Sequence, residues 1–146
     1  MKIIVKNFNE LTINELYQIL RLRSEIFVVE QNCVYQDIDD KDQKALHVFL
    51  NDKDKIVGYA RLFNAGNYFD QASIGRVAVQ EKHRDLHLGH LLIKESIEAI
   101  KTYFHTSKIT ISAQKHLKNF YQSHQFVKIG EEYLEDGIPH IKMILS

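Results

Sequence analysis

Residues 74–113 constrain the fold of this chain more than any other segment. They begin with an apolar run over 74–79, pass through a charged turn and continue with helical apolar spacing over 88–104. Alternation of apolar and polar residues returns at 109–113, which is typical of a second strand. Because a strand, a crossover helix and a further strand place the two strands parallel, the sequence predicts an α/β fold around a central β-α-β unit.

The flanking segments predict one further long helix and five further strands. Thr12 and Glu15 form a Thr-x-x-Glu capping box, from which a helix is expected to run to about Val29. A polar, Asp-rich loop over 31–44 follows, and the next three strands should form an antiparallel meander. The predicted strands are 3–5, 45–50, 56–63, 74–79, 109–113, 126–135 and 140–145, with a short helix around Leu117, Phe120 and Tyr121.

Length and composition limit the class of protein. A chain of 146 residues is expected to form a single domain, residues 1–146. Nineteen basic residues balance nineteen acidic ones, which argues against binding to nucleic acid or to an anionic membrane surface. No apolar run has the length of a signal peptide or of a membrane span. Cys33 is the only cysteine, which suits the reducing cytoplasm. We therefore expect a cytoplasmic protein.

The turn between the strand at 74–79 and the helix at 88–104 has the character of a phosphate site. The free backbone N–H groups and the dipole of a helix start both favour negative charge. Arg84 and Gly89 fit this role, whereas His87 stands where such loops commonly carry glycine. A phosphate carrier with a long tail could extend from this point between the two parallel strands.

These residues resemble the GNAT family of acyl-CoA-dependent N-acetyltransferases. The Arg/Gln-x-x-Gly-x-Gly/Ala signature of that family is matched by 84–89, with His87 in place of its middle glycine. Segments 22–31, 74–77, 113–114, 120–121 and 133–140 are similar to its ElaA-like group, so the resemblance covers nearly the whole chain. It implies a mixed, mostly antiparallel sheet that is splayed around CoA, with acetyl-CoA as cosubstrate and direct transfer to an amine. The residues themselves lead us to expect no metal.

The resemblance also implies roles for individual residues. Tyr121 matches the tyrosine that protonates or hydrogen-bonds the CoA sulfur, although its helical spacing is equally that of a core residue. Gln114 stands where many members contact the pantetheine arm, and a surface glutamine is the alternative. A backbone N–H on a bulged fourth strand should bind the thioester oxygen. The implied CoA-binding residues are Val77, Ala78, Val79, Arg84, Asp85, Leu86, His87, Leu88, Gly89, His90, Gln114 and Tyr121.

The departure at His87 makes a conformational prediction. A β-carbon disfavours positive φ, so we expect φ at His87 to be negative, with the backbone N–H still available to phosphate. The alternative is a positive φ and weakened CoA binding.

The catalytic base is open at this level. Histidine is the residue type among these candidates that most readily exchanges a proton near neutral pH, so His140 could accept a proton from the amine, while Glu30 and Asp136 could instead bind a cationic amine. Asp37, Asp39 and His47 are further candidates. Arg61 and Arg76, on adjacent predicted strands, fit either a substrate carboxylate or cross-strand salt bridges.

Three other patterns favour ordinary structure over a site. His83, His87 and His90 have helix-like spacing but no completing ligand, so no zinc site is expected. Cys33 lacks a nearby base and is interpreted as a packed thiol. The acidic run at 37–42 lacks the Gly and Glu of an EF-hand loop and is interpreted as a solvated loop.

The sequence thus predicts acetyl transfer from acetyl-CoA to an amine of a small molecule or peptide. The alternative is a non-catalytic module of the same fold that binds acyl-CoA or another protein. A homodimer is left open.

Overall fold

A computed structural model describes residues 1–146 and contains seven strands and three α-helices. The strands are β1 Lys2–Asn7, β2 Leu46–Asp52, β3 Lys55–Phe63, β4 Ser73–Val79, β5 Ile109–Gln114, β6 Val127–Glu135 and β7 Ile138–Leu145. The α-helices are α1 Ile13–Arg23, α2 Leu88–Phe104 and α3 Lys118–Gln122. The predicted element order is confirmed, as is the capping box, in which Glu15 N–H donates to Thr12 Oγ1 and Thr12 N–H to Glu15 Oε1.

The strands form two antiparallel sheets. The first has the order β1-β2-β3-β4, which contains the predicted meander, and the second has the order β5-β7-β6. The sheets meet only where β4 and β5 begin: Ala72 and Ile109 form a parallel bridge, and Thr110 N–H donates to the Ala72 carbonyl at 2.8 Å. The two strands of the crossover are therefore parallel but paired at one point, and they separate toward their carboxyl ends. This confirms the splayed architecture.

Apolar residues on the two faces of the first sheet build separate clusters. Alternation along β2 sends Leu46, Val48 and Leu50 into the larger cluster and Phe49 into the smaller one. The larger cluster includes the buried face of α2, and the smaller one contains Ile19 of α1. The sheet thus lies between the two long helices, with the start of α2 beside the splayed strands. No helix combines the length and apolar composition that crossing a bilayer requires.

The first long helix differs from the prediction in its second half. Regular α-helix ends at Arg23, and residues Ser24–Glu30 continue as π-helix. The wider turn is visible at its end, where Gln31 N–H donates to the Ile26 carbonyl at 3.3 Å. A π-turn retains helical continuity, so apolar spacing alone cannot distinguish it from an α-turn; such turns are frequent at functional sites.

The acidic loop is also different from the prediction. Asp37 and Asp42 are 6% and 4% exposed, so the interpretation of a solvated loop was wrong. Buried Arg23 joins them: its Nε lies 3.0 Å from Asp37 Oδ2 and its Nη1 lies 2.7 Å from Asp42 Oδ1. Isolated charges at this depth are costly, so each carboxylate is present as the counter-ion of a guanidinium.

Two arginines from the sheet complete this arginine–aspartate network, which consists of Arg23, Arg61, Arg76, Asp37, Asp39 and Asp42. Arg61 Nη1 lies 2.8 Å from Asp39 Oδ1 and 3.0 Å from Asp42 Oδ1. Arg76 Nε lies 2.8 Å from Asp37 Oδ1, and its Nη2 lies 3.4 Å from Asp39 Oδ2. Arg61 and Arg76 thus pair with the loop rather than with partners on neighbouring strands.

Candidate active site

A groove of about 460 Å³ lies between the diverging ends of β4 and β5 and the start of α2. Nine of the twelve residues expected to bind CoA line it, namely Val77, Ala78, Val79, Arg84, His87, Gly89, His90, Gln114 and Tyr121. Asp85 and Leu86 are exposed outside the groove, and Leu88 is buried in the larger apolar cluster. The structure therefore brings most of the predicted set together; of the three exceptions, two are exposed turn residues and one is a core residue of α2.

The bulge expected on the fourth strand is present. In the β3–β4 ladder Tyr59 pairs with Ala78 and Arg61 with Gly75, which leaves Arg76 and Val77 without ladder partners. Arg76 has φ +48°, the conformation that turns the backbone at this point. Backbone groups of β4 without a ladder partner thus lie beside the groove that Val77 lines, where an oxyanion could be bound.

Glu30 lies in this groove and is paired with Arg84. Both carboxylate oxygens accept from the guanidinium, with Nη2 3.0 Å from Oε2, and Arg84 Nε also donates to the Val79 carbonyl at 3.1 Å. This pairing raises the pKa of Arg84. His140 lines a separate, smaller cavity that Glu30 does not reach. The geometry therefore does not support the expectation that Glu30 accepts a proton from the amine or binds it. The Glu30 carboxylate instead pairs with the Arg84 guanidinium, which is the positive charge that the phosphate of a ligand would need.

Replacing Glu30 with glutamine is expected to tighten CoA binding severalfold. A half-exposed ion pair is worth up to about 1 kcal/mol, which corresponds to about fivefold in affinity when the competing carboxylate is removed. Calorimetric titration with CoA measures the effect, and Glu25→Gln, on the same π-helix but outside the groove, is the control. Unchanged CoA affinity together with a large fall in turnover would return Glu30 to a catalytic role.

His87 has the positive φ that the sequence argument disfavoured. Its φ is +55° and ψ is +31°, in the left-handed region, where it ends the turn and precedes Leu88 of α2. The expectation of negative φ was wrong. The family's glycine suits this conformation, and histidine adopts it at a modest cost in free energy. The backbone path is thus preserved, and the imidazole is exposed at the rim of the groove.

Tyr121 lies where the groove meets a second, smaller cavity. This cavity, the inner pocket, has a volume of about 110 Å³. Tyr121, Gln114 and Val77 line both spaces. The Tyr121 ring packs edge-on against Phe120 and Phe126, with centroids 5.0 and 5.9 Å away. Burial raises the pKa of Tyr121 and no charged neighbour contributes, so its hydroxyl is a proton donor at any physiological pH.

The inner pocket contains a hydrogen-bonded cluster around His140. Nδ1–H of His140 donates to the Ile138 carbonyl at 2.7 Å, which fixes the tautomer and leaves Nε2 as the basic nitrogen. Nε2 lies 3.3 Å from Glu135 Oε2. Ser112 Oγ donates to Glu135 Oε1 at 3.1 Å and is hydrogen-bonded to the Tyr133 hydroxyl. The arrangement can accept a proton at Nε2 and can hold a cation at the carboxylate.

Most of the other candidates for the catalytic base lie away from the inner pocket. Asp37 and Asp39 belong to the arginine–aspartate network. His47 is fully buried, with Nε2 3.0 Å from the Asp42 carbonyl and Nδ1 2.6 Å from the Tyr59 hydroxyl, and burial lowers its pKa. Asp136 is exposed at the rim of the inner pocket. Only His140 and Asp136 of the six candidates therefore reach this pocket.

The histidine and cysteine patterns resolve into separate contacts. His83 faces Asp52 at 3.7 Å, whereas His90 Nδ1 lies 2.9 Å from His124 Nε2. The Cys33 thiol is half-buried and donates to the Asp136 carbonyl at 3.4 Å. No group of three or more His, Cys, Asp or Glu side chains is arranged to hold a metal ion.

Comparison with known proteins identifies the family. The family described as an acetyltransferase (GNAT) domain matches residues 16–146. This chain belongs to the GNAT acetyltransferase family. Protein ElaA of Escherichia coli K12 is 41% identical over 137 residues, which cover 92% of this chain and 90% of ElaA. The resemblance to the ElaA-like group is therefore confirmed.

Solved structures support the same assignment. The crystal structure of an acyl-CoA N-acyltransferase from Pseudomonas aeruginosa matches with a TM-score of 0.94 and 36% identity over 100% of both chains. That of Escherichia coli ElaA matches with a TM-score of 0.93 and 37% identity, also over 100% of both. The predicted GNAT fold is confirmed. Proteins of this fold use acyl-CoA, so membership in the family implies acyl transfer from CoA as the reaction class.

Sequence reasoning missed Glu135 and Ser112 as residues of the site. A signal for Glu135 was present, because alternation along a strand places Tyr133 and Glu135 on the same face, next to the His140 that was considered. Ser112 alternates in the same way with Gln114 on β5. Their contact depends on the pairing of β7 with both strands, which the sequence does not specify.

Proposed function

We propose that this protein transfers the acetyl group of acetyl-CoA to a primary amine. The observation that carries the proposal is the position of Tyr121 at the junction of the groove and the inner pocket. A thioester that enters through the groove would bring its sulfur to this junction, and an amine in the inner pocket would approach the carbonyl from the other side. Donor and acceptor would then meet at one point, as direct transfer requires.

The phosphate end of CoA would be held at the start of α2. The free N–H groups of the helix start and Arg84 supply positive charge there. Gly89 lines the groove at this point, where a β-carbon would make an ordinary contact of 3.4 Å with the Phe120 ring. The pantetheine arm would then run past Gln114, whose carbonyl oxygen accepts from Gln31 Nε2 at 3.3 Å.

The chemical steps follow from three groups. His140 Nε2 takes a proton from the ammonium of the acceptor, so that its nitrogen can attack the thioester carbonyl. The unpaired N–H groups of bulged β4 stabilise the oxyanion that forms. When the C–S bond breaks, the Tyr121 hydroxyl gives its proton to the departing thiolate, and the proton released by the new amide nitrogen restores the hydroxyl. The products are an N-acetylated amine and CoA.

Two measurements test the proposal. Calorimetric titration with CoA and acetyl-CoA should show binding, and a thiol-release assay over a panel of amines should show turnover that depends on the amine. Binding without release on any amine would instead favour the non-catalytic module that binds acyl-CoA. Absence of binding to either compound would contradict both functions.

A further inference from the structure

We propose that the acceptor is a primary amine with no carboxylate beside its amino group, and that Glu135 binds its ammonium. This inference rests on the proposed function, because it assigns the inner pocket to the acceptor. The inference concerns substrate specificity: it predicts that an amine is a better acceptor than the amino acid from which it differs only by a carboxylate. Three features of the pocket carry it.

The first feature is that the pocket arginines are already neutralised. Arg61 and Arg76 line the inner pocket, but their guanidiniums and that of Arg23 face the three carboxylates of the arginine–aspartate network. Three positive charges thus meet three negative ones. Arg61 also lies over the Phe63 ring, with Cζ 4.9 Å from its centroid. The positive charge of each arginine is therefore already balanced, so a substrate carboxylate would find no unpaired guanidinium among them.

The second feature is the charge that remains. Apart from the two arginines, the carboxylate and imidazole side chains that line the pocket are Glu135, Asp136 and His140. Glu135 is held in place because Oε1 accepts from Ser112 and Oε2 faces His140. A carboxylate oriented by the Ser112 hydroxyl, beside the basic nitrogen of His140, suits an entering ammonium. It would repel a second carboxylate on the same molecule.

The third feature is an aromatic wall formed by Phe63, Tyr68 and Phe69. Phe63 and Tyr68 stack with centroids 5.2 Å apart, and Tyr68 meets Phe69 edge-on at 4.8 Å. Such a wall favours the apolar body of an amine and tolerates a cation near its rings. An ammonium already takes such a position at Phe69, because Lys142 Nζ lies 4.9 Å from the ring centroid, and Lys142 does not line the pocket.

The test uses pairs of compounds that differ by one carboxylate beside the only aliphatic amine: tyramine and tyrosine, histamine and histidine, phenethylamine and phenylalanine. In at least one pair, kcat/KM for thiol release should be at least about tenfold higher for the amine than for the amino acid. Binding of the same compounds to CoA-saturated protein, measured by calorimetry, gives the preference without turnover. Equal or preferred binding of the amino acids, or no binding of any of the six, would overturn the inference.

Variants of Glu135 connect the preference to this residue. Glu135→Gln should weaken binding of the preferred amine at least about tenfold and reduce its advantage over the amino acid. Glu135→Asp should retain the advantage, which guards against a misfolded glutamine variant. Glu131→Gln removes the same charge from an exposed site on β6 outside the pocket and should change neither value. An advantage unchanged in Glu135→Gln would contradict the role of Glu135.

The two proposals fail in distinguishable ways. Selective amine binding without thiol release would contradict acetyl transfer and support the specificity of the pocket. Thiol release that does not discriminate within any pair would support acetyl transfer and overturn the inference about Glu135.

Discussion

Replacing Tyr121 with phenylalanine is expected to lower kcat for thiol release about a hundredfold, with CoA affinity within about threefold of the unmodified protein. The hydroxyl is the only group removed, so the edge-on packing against Phe120 and Phe126 is retained. Loss of a donor that acts only as the thiolate forms should lower kcat and leave binding of the cosubstrate nearly unchanged. Single-turnover thiol release and calorimetric CoA titration measure the two quantities.

The matched control is Tyr103→Phe, which removes a hydroxyl from an exposed position on α2 outside both cavities. Its kcat should equal that of the unmodified protein. Because burial raises the pKa of Tyr121 above its ordinary value of 10.0, ionisation of this tyrosine should not limit turnover at alkaline pH. An undiminished kcat in Tyr121→Phe would remove Tyr121 from the mechanism.

Replacing Asp42 with asparagine is expected to lower the free energy of unfolding by about 3–5 kcal/mol. Asp42 Oδ1 lies 2.7 Å from Arg23 Nη1 and 3.0 Å from Arg61 Nη1, and all three residues are buried. Asparagine keeps the volume but leaves these two guanidiniums one counter-ion short. The melting temperature should fall on the order of 10 °C, measured by circular dichroism together with urea unfolding.

Asp40→Asn is the control within the same loop. Asp40 is exposed and has φ +63°, a conformation that asparagine also tolerates, so unfolding should change by less than about 0.5 kcal/mol. Equal stability of the two variants would contradict a structural role for the arginine–aspartate network.

The network should also give the protein a defined acid sensitivity. Burial by itself would raise the pKa of Asp39, but hydrogen bonds and the charge of Arg61 outweigh it and lower the pKa from 3.8 to about 2. The pKa of Asp42 is lowered in the same way, chiefly by Arg23. A lowered folded-state pKa stabilises the fold above pH 3.8 and loses that contribution as the pH falls toward 2. The decrease in the free energy of unfolding as the pH falls from 3.8 toward 2 should be smaller in Asp42→Asn than in the unmodified protein.

Local sequence determined the elements and much of the groove. The capping box at Thr12 starts α1 because its bonds join residues three positions apart, and apolar spacing over 88–104 is sufficient to define α2. The β-α-β order then required β4 and β5 to be parallel, which placed Arg84, Gly89 and Gln114 around one opening. Family resemblance added Tyr121, whose spacing alone is also that of a packed aromatic.

Tertiary structure decided which charges meet. Glu30 and Arg84 are separated by 54 positions and Ser112 and Glu135 by 23, so their pairing follows from how the chain crosses itself and leaves no periodic pattern in the sequence. The same holds for the acidic loop, whose composition is that of a solvated segment but whose carboxylates are buried against three arginines.

The backbone at His87 illustrates the same division. The sequence specified a turn followed by a helix at this point, and both are present. The sign of φ was decided by the path that joins the turn to α2, because the packing of the helix on the sheet stabilises a conformation that the histidine by itself disfavours.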